Sequence, residues 1–504
     1  MAVGFRFNIA LWWVKRDARL DDNPSLTAGL AAARHLIPVA IDEPLLWSAP
    51  ESSDLHRRSW LDAVRALQGN LQHHGSRLLF LQGSAEECFS KLFQKLPVEA
   101  VFSHEEIGSE LTFKRDRLLK EFFASRAVVW QEFPQCGVVR GLKDRGRREP
   151  LWRERVASLP LPIPDRLSMA EGIVQRIADV AGPVPSVGNE STVTERRAHQ
   201  TLRSFLETRS ASYRGSISSP NTALYAGSRL SEHLAWGTIS TRRVYFESNT
   251  RIAQLRVEGA GRWARSLQAF QSRIHWRDHF MQRLESEPGM EFTPLHSGYD
   301  SVPYEDDPGH LQAWLRGETG ELLVDACMRC LQHTGFINFR MRAMVVSYAC
   351  HVLHLSWRTI MYPLARLFVD YEPGIHISQL QMQAGVVGIN TVRIYNPRKQ
   401  LVDQDPRAEF VKRWIPELAG RKADELLEYG TTPLSSYLAP IVSYEERSRS
   451  MRELLYGIKS KSRGSKVTVA VLTRHGSRRP AQKRAGQKKR GKPISRQLSL
   501  LIDS

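Results

Sequence analysis

The chain is poor in cysteine: five stand among 504 residues, at Cys88, Cys136, Cys327, Cys330 and Cys350. They are too few and too scattered for a disulfide scaffold, and they do not supply the positioned set of four that an iron–sulfur cluster needs. Cys327 and Cys330 have the C-x-x-C spacing of redox and metal motifs, but they lie in the amphipathic run Leu322–Leu331 with no second pair nearby. They read as buried helix cysteines, and no metal site is expected. Long hydrophobic runs are missing too. No stretch approaches the ~20 apolar residues of a membrane span. Met1–Phe7 carries no apolar segment ahead of a small-residue cleavage site. The expectation is a reduced, cytoplasmic chain that makes no use of a membrane.

Acidic residues are also in short supply, 53 against 71 Lys and Arg, for a net charge of +18. The imbalance is local. From Lys459 onward 14 basic residues face one acidic residue, Asp503, which leaves 57 against 52 in the rest of the chain. The body is therefore only mildly basic, and most of the excess belongs to a tail. The length corresponds to three or four domains at about 150 residues each, ample for large cores.

Short apolar runs at 8–14, 36–41, 77–81, 100–103 and 127–133 alternate with amphipathic stretches, among them Trp60, Leu61, Val64, Leu67 and Leu71 at helical spacing. This predicts βαβ units and a doubly wound parallel sheet, an α/β domain over residues 6–135. No G-x-G-x-x-G follows the first run. It leads instead into the charged segment Lys15–Pro24, whose simplest reading by itself is a solvated loop. Residues 136–200 are rich in proline and charge and read as an interdomain linker. Residues 201–445 are helical in pattern throughout. Residues 458–504 are Lys-, Arg-, Gly- and Ser-rich and predict a largely disordered basic tail, in which the apolar run Val467–Leu472 is too short to fold alone.

Three stretches of the helical region carry chemistry. Tyr213 is followed by Gly227-Ser228-Arg229-Leu230-Ser231, a turn into a helix start that offers N–H groups and hydroxyls to an anion. His275-Trp276-Arg277-Asp278 places a cation beside a large aromatic, which suits phosphate contact with base stacking. Arg340 and Arg342 lie on an apolar helix, where burial demands a partner. Asp370 is the natural one for Arg342, and burying such a pair makes sense beside a polar ligand.

In order and spacing these stretches, with Lys15–Pro24, His310–Trp314, Asp325–Arg329, Tyr395-Asn396-Pro397, Gln404-Asp405-Pro406 and Trp414–Leu418, resemble the photolyase/cryptochrome flavoprotein family over roughly residues 7 to 440. The resemblance implies an α/β antenna domain, a long linker and a helical domain holding FAD. It implies cofactor contacts at Tyr213, Gly227, Ser228, Arg229, Leu230, Ser231, Arg277, Arg342, Asp370, Tyr371, Glu372 and His376. It implies stacking of a flipped-out pyrimidine dimer on Trp276, DNA contacts at Arg340 and Gln404, and an electron relay through Trp357 and Tyr304. An antenna chromophore, a folate or a deazaflavin, is implied near His104-Glu105-Glu106, where a solvated loop is the competing reading. The implied activity is blue-light repair of pyrimidine dimers in UV-damaged DNA by a monomer (a carbon–carbon lyase). The alternatives are a cryptochrome-type photoreceptor and a non-catalytic flavin-containing binding module.

Four positions depart from the usual photolyase pattern. Arg273 stands where a lesion-bonding Glu is expected, and Phe339 replaces an Asn, with Asn338 adjacent. His376 faces the flavin N5 position, where a histidine would offer a proton or hydrogen bond near physiological pH. Leu380 interrupts the relay at its flavin-proximal place. Arg273, Trp276 and His376 are thus the candidate catalytic residues. The tail, a flexible polycation, predicts salt-dependent association with DNA. Its end, Gln497–Leu501, is similar to the peptide by which bacterial repair proteins bind the sliding clamp, although its leucines are as well suited to packing back on the body.

Overall fold

Val, Ile, Leu and Trp dominate the first strand, β1 (Phe7–Val14), as a strand buried on both faces requires. Ala10, Trp12 and Val14 enter one core while Ile9, Leu11 and Trp13 enter the core on the opposite face. The computed structural model describes residues 5–165, 167, 171–177, 180–186, 192–428 and 437–476. With β2 (Ala33–Asp42), β3 (Leu79–Gln82), β4 (Ala100–His104) and β5 (Val129–Phe133), β1 forms a parallel sheet in the order β3-β2-β1-β4-β5. The crossovers are α1 (Pro24–Ala32), α2 (Asp54–His73), α3 (Ala85–Lys95) and α4 (Glu110–Ala124). Local chemistry sets their starts. Asn23 caps α1 ahead of a proline, and Ser84 and Glu87 form a reciprocal capping box on α3. The predicted doubly wound domain is present, with each strand within a few residues of its apolar run.

The order of strands reverses between β1 and β4, so a crevice opens beyond their carboxyl ends. Lys15–Pro24 leaves β1 there, and it is not a solvated loop: Asp17, Arg19, Asp22 and Asn23 are each at most 1% exposed. Arg19 donates to the carbonyls of Gly237 (2.9 Å) and Asp22 (3.2 Å), and Arg16 to those of Ala235 (3.0 Å) and Tyr371 (2.6 Å). Glu195 accepts the N–H groups of Leu20 and Asp21, while Arg243 pairs with Asp21 at 2.6 Å. Gly237 sits at φ +71°, and a Cβ there would stand 1.9 Å from the Arg16 carbonyl oxygen. Only glycine lets the two chains approach so closely.

The segment predicted as linker contains a helix, α5 (Arg148–Val156), and its end is overrun by α6 (Glu195–Glu207), which crosses the expected boundary at residue 200. The helical domain follows, including α7 (Ser231–Ala235), α8 (Thr241–Val257), the long α9 (Gly261–Ser286), α10 (Leu322–Thr334), α11 (Phe339–His351), α12 (Trp357–Ala365) and α13 (Pro373–Gln383). Cys327 and Cys330 lie buried in its core on α10, as expected of helix cysteines. Among the described residues no helix is long and apolar enough to cross a membrane, and no group of metal-ligating side chains assembles.

The first part of the segment expected to be largely disordered from residue 458 is helical. α14 (Tyr444–Lys461) and α15 (Lys466–His475) are ordered helices capped by Ser443 and Ser465. Met451 and Leu455 of α14 enter the helical core, and Val471 of α15 is buried. The apolar run at 467–472 folds because the body covers part of it. Residues 477–504, including Gln497–Leu501, lie outside the described residues.

Replacing Arg19 by Met removes one partner of a buried network, so the denaturation midpoint should fall by the equivalent of about 3–5 kcal/mol. The exposed Arg34→Met should change it by less than about 0.5 kcal/mol. Equal midpoints in urea titrations would show that the turn does not hold the domains together.

Candidate active site

Gly227 ends a helical turn, and a Cβ on it would meet the Ala223 carbonyl oxygen at 2.5 Å. Arg229 then adopts the left-handed conformation, φ +60°, a strained state for a side chain of this size. The strain turns the chain so that α7 begins at Ser231 with Leu230 as its cap. Leucine offers no acceptor, so the first N–H groups of α7 receive no side-chain cap. The Ser228 hydroxyl takes the Leu230 N–H at 3.4 Å. The Arg229 guanidinium lies 4.3 Å over the Phe336 ring and forms no ion pair among the described residues. Burial holds it below the usual guanidinium range, against the opposing pull of Asp370 and Glu232.

Arg342, on α11, gives two hydrogen bonds to Asp370 (3.0 and 2.8 Å) and one to the Ile337 carbonyl (2.8 Å), with its plane 4.1 Å over Phe368. The pair expected from the sequence is therefore formed. Asn338 donates to the carbonyls of Ile217 and Ser218, both at 2.9 Å, while its buried Oδ1 has no partner among the described residues. Arg277 on α9 reaches Glu372 and Asp278, each at 3.1 Å, and Arg16 lies 4.0 Å from the other Glu372 oxygen. Arg16 also holds the carbonyl of Tyr371, so the α/β domain grips the loop that bears Asp370–Glu372. Tyr213 is buried and its phenol is hydrogen-bonded by Arg273, one turn before Trp276 on α9. That hydroxyl is spent on a guanidinium, which sequence spacing did not reveal.

His376, at the start of α13, bonds the Met361 carbonyl through Nε2 at 2.8 Å and meets Tyr371 edge-on with ring centroids 5.5 Å apart. A carbonyl only accepts, so Nε2 carries the proton and Nδ1 of the neutral ring is an acceptor. Burial, with Arg342 and His56 adding to it against that hydrogen bond, pulls the His376 pKa to about 4. The expectation of a proton donor near physiological pH is thereby corrected: this ring is neutral, with its one N–H already given away. Trp357 and Leu380 are both buried in the helical core, and the buried Tyr304 hydroxyl has no partner among the described residues.

Trp276 is 40% exposed, flanked along α9 by His279 and Phe280 at 5.5 and 5.6 Å. Phe339, at the start of α11, is also exposed. Arg340 gives a 3.4 Å hydrogen bond to Gln400, one turn before Gln404 on the helix Pro397–Gln404, so these two expected DNA contacts share one edge. His104 is buried and bound to Asp17 at 2.6 Å, and Glu106 takes Arg115 at 2.6 Å. The segment near the strand end is therefore internal structure, not a solvated loop. Two neighbours escaped the sequence reading. Glu232 accepts the Ser59 hydroxyl at 3.0 Å and is pushed up to about 7 by burial. His56 stacks on Tyr371 at 5.4 Å and bonds the Phe368 carbonyl at 2.9 Å. Its signal was its place one turn before Trp60 on the buried face of an amphipathic helix.

Arg229, Arg277 and Arg342, the uncapped start of α7, the Asn338 oxygen and the His376 Nδ1 form a donor-rich site with few acceptors, suited to an anionic dinucleotide with amide-bearing rings. The fold and site thus define a two-domain protein built around a nucleotide cofactor. The family description "DNA photolyase" matches residues 10–141, and "FAD binding domain of DNA photolyase" matches residues 270–456. A deoxyribodipyrimidine photo-lyase of Thermus thermophilus is 30% identical over 419 residues, covering 81% of this chain and 92% of that protein. A cryptochrome DASH of Danio rerio is 27% identical, covering 92% and 96%. An archaeal photolyase from Sulfolobus tokodaii, solved with two FAD molecules, superposes with a TM-score of 0.73 at 25% identity, covering 89% and 99%. The chain belongs to the DNA photolyase/cryptochrome family, and its helical part is an FAD-binding domain.

Burial holds His56, His233, His351 and His376 each at about 4. Unfolded histidine titrates near 6.5, so the unfolded chain takes up these protons first as pH falls. Stability is full above about pH 6.5 and declines toward pH 4, by up to about 1.4 kcal/mol per pH unit for each ring. Urea midpoints at pH 7.5, 6 and 5 should fall steadily; a flat profile would contradict the burial of neutral rings.

Proposed function

We propose that this protein binds FAD and uses blue light to split pyrimidine dimers in DNA. The observation that carries the reading is the half-exposed Trp276, one residue from Arg277 on the rigid α9, with Arg340 and Gln404 on one edge of the same domain. Arg229, Ser228 and the start of α7 would hold the cofactor's phosphates, and Arg342–Asp370 with Asn338 would hold its ring system. FAD, once bound and reduced, supplies the light-driven electron transfer. The chain's own work is positional. Trp276 offers an indole face for a base drawn from the duplex, and Arg340 places the DNA backbone. Arg273, fixed by the Tyr213 phenol, adds positive charge on the same helix face as Trp276, which favours an electron-rich lesion. His376 presents its Nδ1 lone pair, its one N–H being held by the Met361 carbonyl. The α/β domain, near His104–Glu106, is the place for an antenna chromophore; the Sulfolobus relative was solved with two FAD molecules.

Light-dependent repair of UV-irradiated oligonucleotides tests this. Trp276→Ala should lower repair by at least about tenfold, the loss expected when a stacked base loses its aromatic partner, with flavin content unchanged. Asp370→Asn should lower flavin content itself. Bound flavin without repair would move the reading to a photoreceptor, and absence of flavin would overturn it.

A further inference from the structure

A tyrosine gives up an electron readily only where its proton has somewhere to go, because the phenol becomes a strong acid once oxidised. The places to which the resemblance assigns an electron relay do not suit this chemistry. Leu380 carries no oxidisable ring. Trp357 is fully buried, and the Arg358 guanidinium lies 4.6 Å over its ring. A cation on that face opposes the positive charge of an oxidised indole. The buried Tyr304 hydroxyl has no partner among the described residues to receive its proton.

Tyr362, on α12, is different. Its hydroxyl donates to Glu291 Oε1 at 3.0 Å, within reach of direct proton transfer. Glu291 closes the turn Pro288–Glu291 and is 4% exposed. Its other oxygen, Oε2, accepts the Glu110 N–H at 2.7 Å, at the start of α4. A donor on each oxygen, one of them at the positive end of a helix, marks the ionised carboxylate. Burial, against those two hydrogen bonds, raises Glu291 above the ordinary carboxylate range, which makes it a better base than an exposed carboxylate. Burial and then Glu291 raise the Tyr362 phenol as well, so at rest the proton stays on the tyrosine.

The pair also lies beside the cofactor site. Met361, the residue before Tyr362, gives its carbonyl to His376 Nε2 at 2.8 Å. Tyr371, which meets His376 edge-on at 5.5 Å, feels the charge of Glu291 and of Tyr362. Tyr362 itself is half-buried, so a small reductant in solvent can reach it.

We infer that Tyr362, with Glu291 as its proton acceptor, supplies the electron that reduces the light-excited flavin in place of the interrupted relay. The inference rests on the flavin-binding reading and not on repair. Tyr362 gives one electron to the excited oxidised flavin, and its hydroxyl proton crosses to Glu291 Oε1, leaving a neutral phenoxyl radical beside a protonated carboxyl. A thiolate in solution then returns one electron to the phenoxyl, and Glu291 returns the proton. The pair is restored, the thiolate leaves as a thiyl radical, and the net change is one electron moved from thiolate to flavin.

The full-length protein carrying oxidised FAD should be illuminated with blue light in the presence of a thiol, without oxygen, while flavin absorbance is followed. Tyr362→Phe removes only the hydroxyl and should slow flavin reduction by at least about tenfold with flavin content unchanged. Glu291→Gln should slow it comparably, and the exposed Tyr456→Phe should leave it at the parental rate. Electron paramagnetic resonance under light should show a tyrosyl radical in the parent and none in Tyr362→Phe, and the parental reduction should slow in deuterated water. Parental reduction in Tyr362→Phe, no photoreduction in the parent, or a loss seen in Trp357→Phe but not in Tyr362→Phe would each overturn the assignment. Repair assayed on the same preparations keeps the two readings apart, because flavin reduction through Tyr362 does not require that a dimer be split.

Discussion

Everything in this molecule depends on a buried turn of charge at the end of its first strand. Arg16 and Arg19 reach across to backbone carbonyls of the helical domain, and Asp21 and Asp22 receive Arg243 and Arg242 in return. Burial alone would raise Asp17, but His104 and Arg19 beside it hold its carboxyl below the usual range. Burial lowers Arg19, while four surrounding carboxylates work in the opposite direction. Such a network is weakly stabilising as a whole and strongly destabilising when one member is lost. Its value is geometric: directional bonds fix one orientation of two domains where an apolar contact would tolerate several.

That orientation shapes the cofactor site. The loop Asp370–Glu372 belongs to the helical domain, yet Arg16 holds its backbone and His56 stacks on its tyrosine. Arg277 and Arg342 are each oriented by a carboxylate from this loop. Arg229 differs, since a strained backbone and a ring face position it. The site therefore combines two cations held by carboxylates with one, Arg229, that forms no ion pair among the described residues.

Much of this was legible in the sequence, for physical reasons that can be named. Buried parallel strands are near-continuous apolar runs closed by charge, so all five announced themselves. Arg342 on an apolar helix demanded a carboxylate, and Asp370 supplied it. The environment of Lys15–Pro24 was not legible, because its partners Gly237, Ala235 and Tyr371 lie more than 200 residues away. The tautomer of His376 is set by a single carbonyl, Met361, that no motif marks. The last turn of Tyr444–Lys461 and the helix Lys466–His475 look like solvated polycation in isolation, and they become structure because the body covers one side of each.

The bond from Arg16 to the Tyr371 carbonyl spans 355 residues of sequence. During synthesis the N-terminal domain emerges first and folds as a unit, so Arg16 in its docking turn waits for a loop translated 355 residues later. The cofactor cleft is consequently closed late, by a contact of the longest range, and loop closure of that kind is slow. The order in which the two domains come together is thereby written into where the first strand ends.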